Sequence, residues 1–431
     1  MRSILLIAIV VIAAVGGGIG YVVLTGQDHS GDTIRIGVCA DIDSSFGKAF
    51  WQEAVLAAEQ VNAEGGVLGR NLEIIAEDDD DESPNVDIAT ATNAFTRLIT
   101  VDQADYVLYS GFGGLSIIFQ DIASQHKTIL FGGSGDGTDE LTQRVLDDYD
   151  AYKYYFRVGV PNATSSNDGI TESIQVIRDY TGFNKVAFVY HVLDSNIADN
   201  IAGYAETLHG YGFEVVYTAG IPLSTVDFSS YFAQAEAAGA EIMAPLIVGP
   251  AGVSFVKEYY DRQSPMVLWG LISMASQSDF WELTEGKCEH VSFNTYPTTV
   301  GYPLTNKTVL FGEAYSERWN EPATGGATYD AVRYILPDAI RRAGTTETDA
   351  VIKALETTSI ETSLARHFVF TSSHDVMIGA AGPNRPGEDY FMVCMFQWQN
   401  GGELAPVYPK EIKEEAGATY SYPDWPGPWS K

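Results

Sequence analysis

One stretch near the N-terminus, Ile34 to Asp79, constrains the fold most, because it reads as a complete strand, helix and strand. Ile36 and Val38 lie in a short β-branched segment, apolar residues then recur at helical spacing, and Leu72 begins a second β-branched segment. This order is a βαβ unit, which predicts a parallel sheet. Because ligands bind at the carboxyl ends of parallel strands, the loop 40–46 is the first candidate site.

The same stretch resembles the opening of the leucine/isoleucine/valine-binding-protein family, extracytoplasmic receptors that deliver solutes to ABC importers. The resemblance rests on the run GVCADIDSSFG, on an NxxGGxLGR-type turn and on the acidic end of the second strand. The matching residues of the turn and the strand end are Asn62, Gly65, Gly66, Leu68, Gly69, Arg70, Asp78 and Asp79. The resemblance covers about Thr33 to Pro409. It implies an α/β protein of the type I periplasmic binding class, with two Rossmann-like lobes around parallel-type central sheets and a three-stranded hinge.

The resemblance also implies a division of the chain. We expect lobe 1 to comprise residues 33–157 with 291–366, and lobe 2 to comprise residues 158–290 with 367–409. Residues 410–431 form a C-terminal tail rich in Pro, Tyr and Trp, which either packs on a lobe or stays irregular.

The N-terminus predicts a membrane segment. Ile4 to Leu24 is an uncharged, mostly apolar run about long enough to cross a bilayer. Since no small-x-small cleavage site precedes Gln27 and no lipobox cysteine is present, a retained anchor is favoured over a cleaved signal peptide. Residues 1–32 are therefore expected to be a transmembrane anchor or signal peptide plus a tether, and Arg2 predicts that the rest of the chain lies outside the cytoplasm, at the cell surface or in the periplasm.

Composition and motifs exclude several classes of function. With 57 acidic and 25 basic residues, the net charge of −32 repels nucleic acid. The three cysteines form no CxxC and have no histidine at metal spacing, so we expect no metal and no cofactor. His367 and His374 are expected to be surface or hinge residues. No nucleophile–base pair supports an enzyme.

Two glycine-rich turns follow successive predicted strands, at 111–116 and 132–138. Neither fits a dinucleotide-binding, Walker or nucleophile-elbow motif. Glycine allows a ligand close to main-chain N–H groups, and helix N-termini carry partial positive charge, so both turns suit a carboxylate or carbonyl oxygen. The alternative is that they are ordinary tight βα turns.

The family resemblance implies ligand contacts in both lobes. It places Phe46 beside the ligand, and it makes 113–116 and 134–138 the loops that bind the carboxylate of an amino acid. In lobe 2, Val248 and Ile272 align with an aromatic and an acidic position that hold the amino group. The full expected set is Ser45, Phe46, Gly113, Gly114, Ser116, Ser134, Gly135, Asp136, Tyr190, Val248 and Ile272.

This chain departs from the family pattern at several of these positions. Branched-chain binders have a serine at the place of Gly113, and Val248 and Ile272 supply no ammonium anchor. Asp136 either replaces the missing acid or caps its own turn. The loop 41–46 is a few residues shorter than in common relatives. These departures disfavour leucine, isoleucine or valine as the ligand and leave other amino acids, urea or short amides.

The resemblance therefore implies an extracytoplasmic solute-binding protein that captures a small solute in a cleft between two lobes. Its partners would be an ABC permease and ATPase subunits. The alternative is a ligand-sensing extracellular receptor that acts through a membrane partner.

Overall fold

A computed structural model describes residues 9–15, 18–24, 33–80, 87–111, 113–133, 138–160, 163–192, 197–323, 325–379, 389–425, 427 and 429. The chain divides into two compact units. Unit 1 comprises residues 1–164, 301–378 and 389–391, and unit 2 comprises residues 165–300, 379–388 and 392–431. These divisions lie further along the chain than the expected lobe boundaries at 157, 290 and 366.

Unit 1 is built on a seven-stranded sheet with the order β1-β2-β4-β3-β5-β6-β7. Its strands are β1 (Ile9–Val15), β2 (Gly18–Leu24), β3 (Ile34–Cys39), β4 (Leu72–Glu77), β5 (Tyr106–Tyr109), β6 (Ile129–Gly132) and β7 (Tyr155–Arg157). Strands β3 to β7 pair in parallel, whereas β1 with β2 and β2 with β4 are antiparallel.

Unit 2 contains a parallel sheet with the order β11-β10-β8-β9, in which β12 also pairs with β10. Unit 2 also contains a three-stranded antiparallel sheet with the order β13-β14-β15. The strands of these two sheets are β8 (Lys185–His191), β9 (Glu214–Ile221), β10 (Ile242–Ile247), β11 (Val267–Leu268), β12 (Leu271–Ile272), β13 (Ser292–Thr295), β14 (Cys394–Gln399) and β15 (Glu403–Tyr408).

Helices connect most of the parallel strands, as crossover connections in α/β sheets require. In chain order the α-helices of the described residues are α1 (Ser45–Ala63), α2 (Ile88–Thr100), α3 (Gly113–His126), α4 (Asp139–Asp147), α5 (Tyr149–Tyr152), α6 (Ala163–Thr181), α7 (Ile197–Gly210), α8 (Ser229–Ala237), α9 (Ala251–Asp261), α10 (Phe280–Leu283), α11 (Asn306–Trp319), α12 (Ala327–Asp330), α13 (Leu336–Ala343), α14 (Thr348–Leu355) and α15 (Lys410–Glu415). The predicted α/β class with parallel central sheets is confirmed.

The transmembrane anchor expected over Ile4 to Leu24 needs a helix, and the described residues of this segment, 9–15 and 18–24, do not form one. The described part of this segment is β1 and β2, and β2 pairs with β4 at the edge of the sheet. The physical reason is visible in the residues, since both segments are rich in β-branched Ile and Val, which favour strands. Across the described residues, no helix combines the length and the apolar character needed to cross a membrane.

The turn that carried the family resemblance has a structural role. The amide of Asn62 donates to the carbonyl of Leu72 at 2.8 Å and accepts from the Leu72 N–H at 2.7 Å, so it fixes the start of β4 against the end of α1. Gly66 has a φ of +75°, and a Cβ there would lie 2.1 Å from the Arg70 carbonyl oxygen. Only glycine therefore fits this position.

One face of the unit 1 sheet packs against α2 and α3. Phe95 stacks on Phe119 with ring centroids 4.3 Å apart, and Tyr109 meets Phe119 edge-on at 4.7 Å. Cys39, the last residue of β3, is fully buried in this core as a small apolar side chain.

The core of unit 2 includes the C-terminal tail, so the first of the two alternatives for the tail is confirmed. Tyr420 is buried in the same cluster as Phe188 and Trp269. The indole N–H of Trp425 donates to the carbonyl of Ser264 at 2.9 Å. The tail therefore packs on unit 2 through buried aromatic rings.

Candidate functional site

The carboxyl edge of the unit 1 sheet brings together the starts of three helices. The neighbouring strands β3, β5 and β6 are followed along the chain by α1, α3 and α4. In a parallel sheet the carboxyl ends of neighbouring strands meet at one edge. Three helix N-termini, each with partial positive charge, are thereby directed to the same edge.

The first of these helix starts is held by a tight loop. The hydroxyl of Ser44 donates to the Asp41 carbonyl at 2.9 Å and accepts from the Gly47 N–H at 2.8 Å. A Cβ on Gly47 would lie 2.0 Å from the Asp41 carbonyl oxygen, so the loop closes only with glycine there. Phe46, the second residue of α1, has 42% of its surface exposed. The predicted site residue Ser45 begins α1, and its side chain lies outside the described part of the structure.

The second helix start contains three predicted site residues in one turn. Gly113 and Gly114 open α3, and Ser116 follows two positions later. A Cβ on Gly114 would meet nothing within 4 Å, so packing does not demand glycine there. The Ser116 hydroxyl is fully buried and has no hydrogen-bond partner within the described ranges. A glycine start leaves main-chain N–H groups accessible to an oxygen of a ligand.

The third helix start lies beyond the loop that follows β6. Gly133 is buried, and a Cβ there would lie 2.6 Å from the ring of Phe50. The predicted site residues Ser134, Gly135 and Asp136 lie outside the described residues. Both readings of Asp136 therefore remain predictions.

Arg157, which sequence reasoning missed, holds Thr138, the residue that caps the start of α4. It is fully buried at the end of β7, where its guanidinium donates to the Thr138 carbonyl at 2.7 Å and pairs with Asp375 at 3.2 Å. Its main-chain N–H donates to the carbonyl of His374 at 2.9 Å. His374 is not a surface residue, because its ring is buried and stacks on Phe156 at 4.0 Å. The only signal in the sequence was a charge inside an apolar strand.

Carboxylates line the same side of unit 1 beyond β3 and β4. Asp79 is fully buried and accepts from the Cys39 thiol at 3.4 Å. Burial raises the pKa of Asp78, and the charges of Asp41 and Asp43 add to that increase. Within the described residues, no group of three or more acidic, histidine or cysteine side chains could hold a metal ion.

The carboxyl edge of the unit 2 sheet brings together the other predicted site residues. Tyr190 is buried near the end of β8, Ile272 is buried at the end of β12, and Val248 is partly buried just after β10. Because β8 and β12 both pair with β10, these residues lie on neighbouring strands. Val248 and Ile272 supply no charge, as the sequence indicated.

Two side chains that sequence reasoning missed tie this second edge together. The N–H of Val248 donates to Nδ1 of His191 at 3.2 Å, and the N–H of Gly249 donates to the hydroxyl of Ser273 at 2.9 Å. Burial lowers the pKa of His191, so its ring is neutral at pH 7. His191 and Val248 are 57 positions apart, and only the pairing of β8 with β10 brings them together.

Each unit combines a parallel sheet with hydrogen-bonding groups at the carboxyl ends of its strands, which is where α/β proteins bind ligands. The periplasmic binding protein family matches residues 33–381, and the chain belongs to that family. This confirms the resemblance to the leucine/isoleucine/valine-binding proteins. Since the family consists of solute-binding proteins that act outside the cytoplasm, the chain is a binding protein and not an enzyme.

Individual relatives agree with this assignment. The chain is similar to a Leu/Ile/Val-binding protein homolog from Brucella melitensis, with 25% identity over 82% of this chain and 84% of the relative. A structure from Silicibacter pomeroyi assigned to a branched-chain amino acid ABC transporter has a TM-score of 0.78 and 19% identity, covering 91% of this chain and 100% of that one. An ABC transporter solute-binding protein from R. palustris in complex with benzoate has a TM-score of 0.65 and 15% identity, covering 88% and 97%.

Proposed function

We propose that this protein is the solute receptor of an ABC importer, which captures an amino acid or a small amide- or urea-type solute and presents it to a permease with its ATPase subunits. The observation that carries the proposal is the set of three helix N-termini at the carboxyl edge of the unit 1 sheet. Units 1 and 2 correspond in this proposal to the two lobes of the family.

The glycine start of α3 is the strongest candidate for holding an oxygen of the solute. The other two helix starts are already capped, because Ser44 accepts from the N–H of Gly47 and Thr138 accepts from that of Glu140. A carboxylate or carbonyl oxygen at α3 gains the partial positive charge of the helix terminus and hydrogen bonds from main-chain N–H groups. The Ser116 hydroxyl adds a further polar group in the same turn.

Side chains would supply the remaining binding energy. Phe46 offers an exposed aromatic ring after β3 in unit 1, and Tyr190, Val248 and Ile272 lie at the carboxyl edge of the unit 2 sheet. A micromolar dissociation constant corresponds to about −8 kcal/mol. A few hydrogen bonds to a preformed site together with burial of one ring reach that value.

The solutes associated with these relatives support an oxygen-bearing ligand. Leucine, isoleucine, valine and benzoate all carry a carboxylate, whereas only the amino acids carry an ammonium group. The N-terminus of α3 in unit 1 suits a carboxylate, which is the group that these solutes share. An amide or urea carbonyl offers the same kind of acceptor without the charge.

Ligand-dependent stabilisation tests the proposal. The protein is heated with each of the common amino acids, with simple carboxylates, with amides and with urea, and each solute is checked for turnover by NMR. A true ligand at about 100 times its dissociation constant stabilises the folded state by about 2.7 kcal/mol. Gly114→Val, which covers the α3 start without filling the core, serves as the matched variant and is expected to weaken binding.

Two results contradict the proposal. Conversion of a bound solute into a product would indicate an enzyme, and no stabilisation by any solute would remove the receptor assignment. Uptake separates transport from sensing, because an importer receptor supports accumulation of the labelled solute in cells with the cognate permease. A sensing receptor binds the same solute and leaves its uptake unchanged.

A further inference from the structure

We infer that the Nε2–H group of His191 is the donor with which unit 2 holds an oxygen atom of the solute, so that the solute presents a carboxylate or amide oxygen to unit 2 and not an ammonium group. The inference rests on the proposed function and adds a specificity-determining residue to it. It reverses the polarity that the family resemblance implied for this lobe.

The position of His191 is the first step. It is the last residue of β8, at the carboxyl edge of the unit 2 sheet, and it is 0% exposed. Its neighbour along the strand, Tyr190, and its hydrogen-bond partner, Val248, are both expected site residues. His191 therefore belongs to the same edge as the residues predicted to contact solute.

The hydrogen bond at Nδ1 defines which ring nitrogen carries the proton. Because the Val248 N–H donates to Nδ1, that nitrogen carries a lone pair and no hydrogen. Burial lowers the pKa of the ring, which keeps it in the neutral form. The single proton of the neutral imidazole must then be on Nε2, which is a hydrogen-bond donor.

The donor has no acceptor of its own within the described residues. The Nε2 atom is buried, and no hydrogen bond to it occurs there. A buried donor without an acceptor is costly, and such groups in native proteins call for a specific explanation. An oxygen of a bound solute at the carboxyl edge of the sheet satisfies it, whereas an ammonium group cannot accept a hydrogen bond.

The surrounding residues favour this polarity. Val248 and Ile272 stand where the family resemblance implied an aromatic and an acidic anchor for an amino group, and neither supplies a negative charge. The hydroxyl of Ser273 is already engaged by the Gly249 N–H at 2.9 Å, which holds β12 against the loop after β10. The edge is thus preorganised around a donor, which favours an acceptor on the solute.

Two substitutions separate the two nitrogens of the ring. His191→Asn keeps an acceptor near Nδ1 for the Val248 N–H and has no group at the place of Nε2, while His191→Gln keeps an N–H near the place of Nε2. The probes are benzoate, benzamide and benzylamine, and 4-methylpentanoate, 4-methylpentanamide and 3-methylbutylamine, with L-leucine as the amino acid. Binding is measured by calorimetry, and the His191 ring nitrogens are followed by NMR in protein labelled with ¹⁵N-histidine.

We expect at least one carboxylate or amide probe to bind and shift the Nε2 resonance, and the matched amine to do neither. His191→Asn should fold and bind that probe about 10- to 100-fold more weakly, as for loss of a hydrogen bond to a charged or strongly polar acceptor. His191→Gln should recover part of the affinity. If His191 only ties β8 to β10, binding of the probe should instead be retained in His191→Asn.

The outcomes also separate this inference from the proposed function. A solute that stabilises the protein with the Nε2 resonance unmoved and the His191→Asn affinity unchanged overturns the inference and leaves the receptor assignment intact. Tight binding of an amine probe likewise overturns the inference and leaves the receptor assignment intact. If neither the probes at 10 mM nor any solute of the wider screen stabilises the protein, both are overturned.

Discussion

The carboxyl edges of the two parallel sheets present different hydrogen-bonding groups. Helices follow strands in both sheets, but in unit 1 the glycine start of α3 places main-chain N–H groups at the sheet edge. In unit 2, two side chains, His191 and Ser273, hold the loop after β10 through hydrogen bonds to its main chain. Unit 1 thus offers backbone donors, and unit 2 offers a side-chain donor.

This difference explains what each edge can tolerate. A backbone donor survives most substitutions, because every residue except proline supplies an N–H group. A side-chain tie is lost with a single substitution. We therefore expect the unit 1 edge to depend on buried groups such as Arg157 that contact the chain behind it. We expect the unit 2 edge to depend on the side chains of His191 and Ser273.

Breaking the support of unit 1 should have the largest effect. Arg157→Met removes the guanidinium that pairs with Asp375 and donates to the Thr138 carbonyl, and it leaves a buried carboxylate. Removing one partner of a buried ion pair costs about 3–5 kcal/mol. Urea unfolding measures the loss of free energy of unfolding for unit 1.

Ser273→Ala is the matched variant in unit 2. It removes one hydrogen bond, to the Gly249 N–H, and should cost about 1 kcal/mol. An equal loss in the two variants would show that the two edges are supported in the same way.

The two units should also differ in how their stability depends on pH. Burial raises the pKa of Glu53 in unit 1 to about 8, although the N–H groups of Tyr329 and Gly326 donate to its carboxyl group and oppose the increase. Between its unfolded pKa of 4.5 and about 8 the folded state holds a proton that the unfolded state releases, so stability falls as pH rises. From pH 6.5 to 8 this amounts to about 2 kcal/mol.

Buried histidines have the opposite sign. Burial lowers the pKa of His191 and of His290 in unit 2, and of His374 in unit 1, so each contributes stability above pH 6.5 that is lost as pH falls below 6.5. Well above pH 6.5 they are neutral in both states, so from pH 6.5 to 8 the histidines of unit 2 add only a small gain in stability while unit 1 loses stability. Hydrogen exchange along a urea series, read on peptides of α1 and of β8, follows each unit. Glu53→Gln should abolish the slope of unit 1 in this range, and an unchanged slope would exclude Glu53 as its cause.

Features formed by residues close together in the chain could be predicted from the sequence, and features formed by distant residues could not. The βαβ unit from Ile34, its glycine turn and the α3 start were predicted, because each depends on residues close together in the chain. The transmembrane anchor expected before Leu24 is not supported, because the described residues 9–15 and 18–24 are strands, which their β-branched content favours. Arg157 and His191 were missed, because their partners come from distant parts of the chain that only strand pairing brings together.

The smallest expected effect on stability is at an exposed ring. Phe46 lies after β3 in unit 1 with 42% of its surface exposed, and Val192 lies after β8 in unit 2 with 50% exposed. Truncation of exposed side chains away from the core usually changes stability by less than about 0.5 kcal/mol. Both Phe46→Ala and Val192→Ala should therefore fold as the parent does, as circular dichroism and thermal melts can check.

Their effects on binding should differ even though their effects on folding do not. A phenyl ring that becomes buried against a solute contributes on the order of 2 kcal/mol, which corresponds to an affinity loss of about tenfold or more for Phe46→Ala. Val192→Ala removes fewer carbon atoms and should lose less affinity for the solute. Calorimetry with the solute that gives the largest thermal stabilisation measures both. Equal affinity of Phe46→Ala and the parent would remove Phe46 from the site, and the recognition in unit 1 would then rest on the backbone donors of α3 alone.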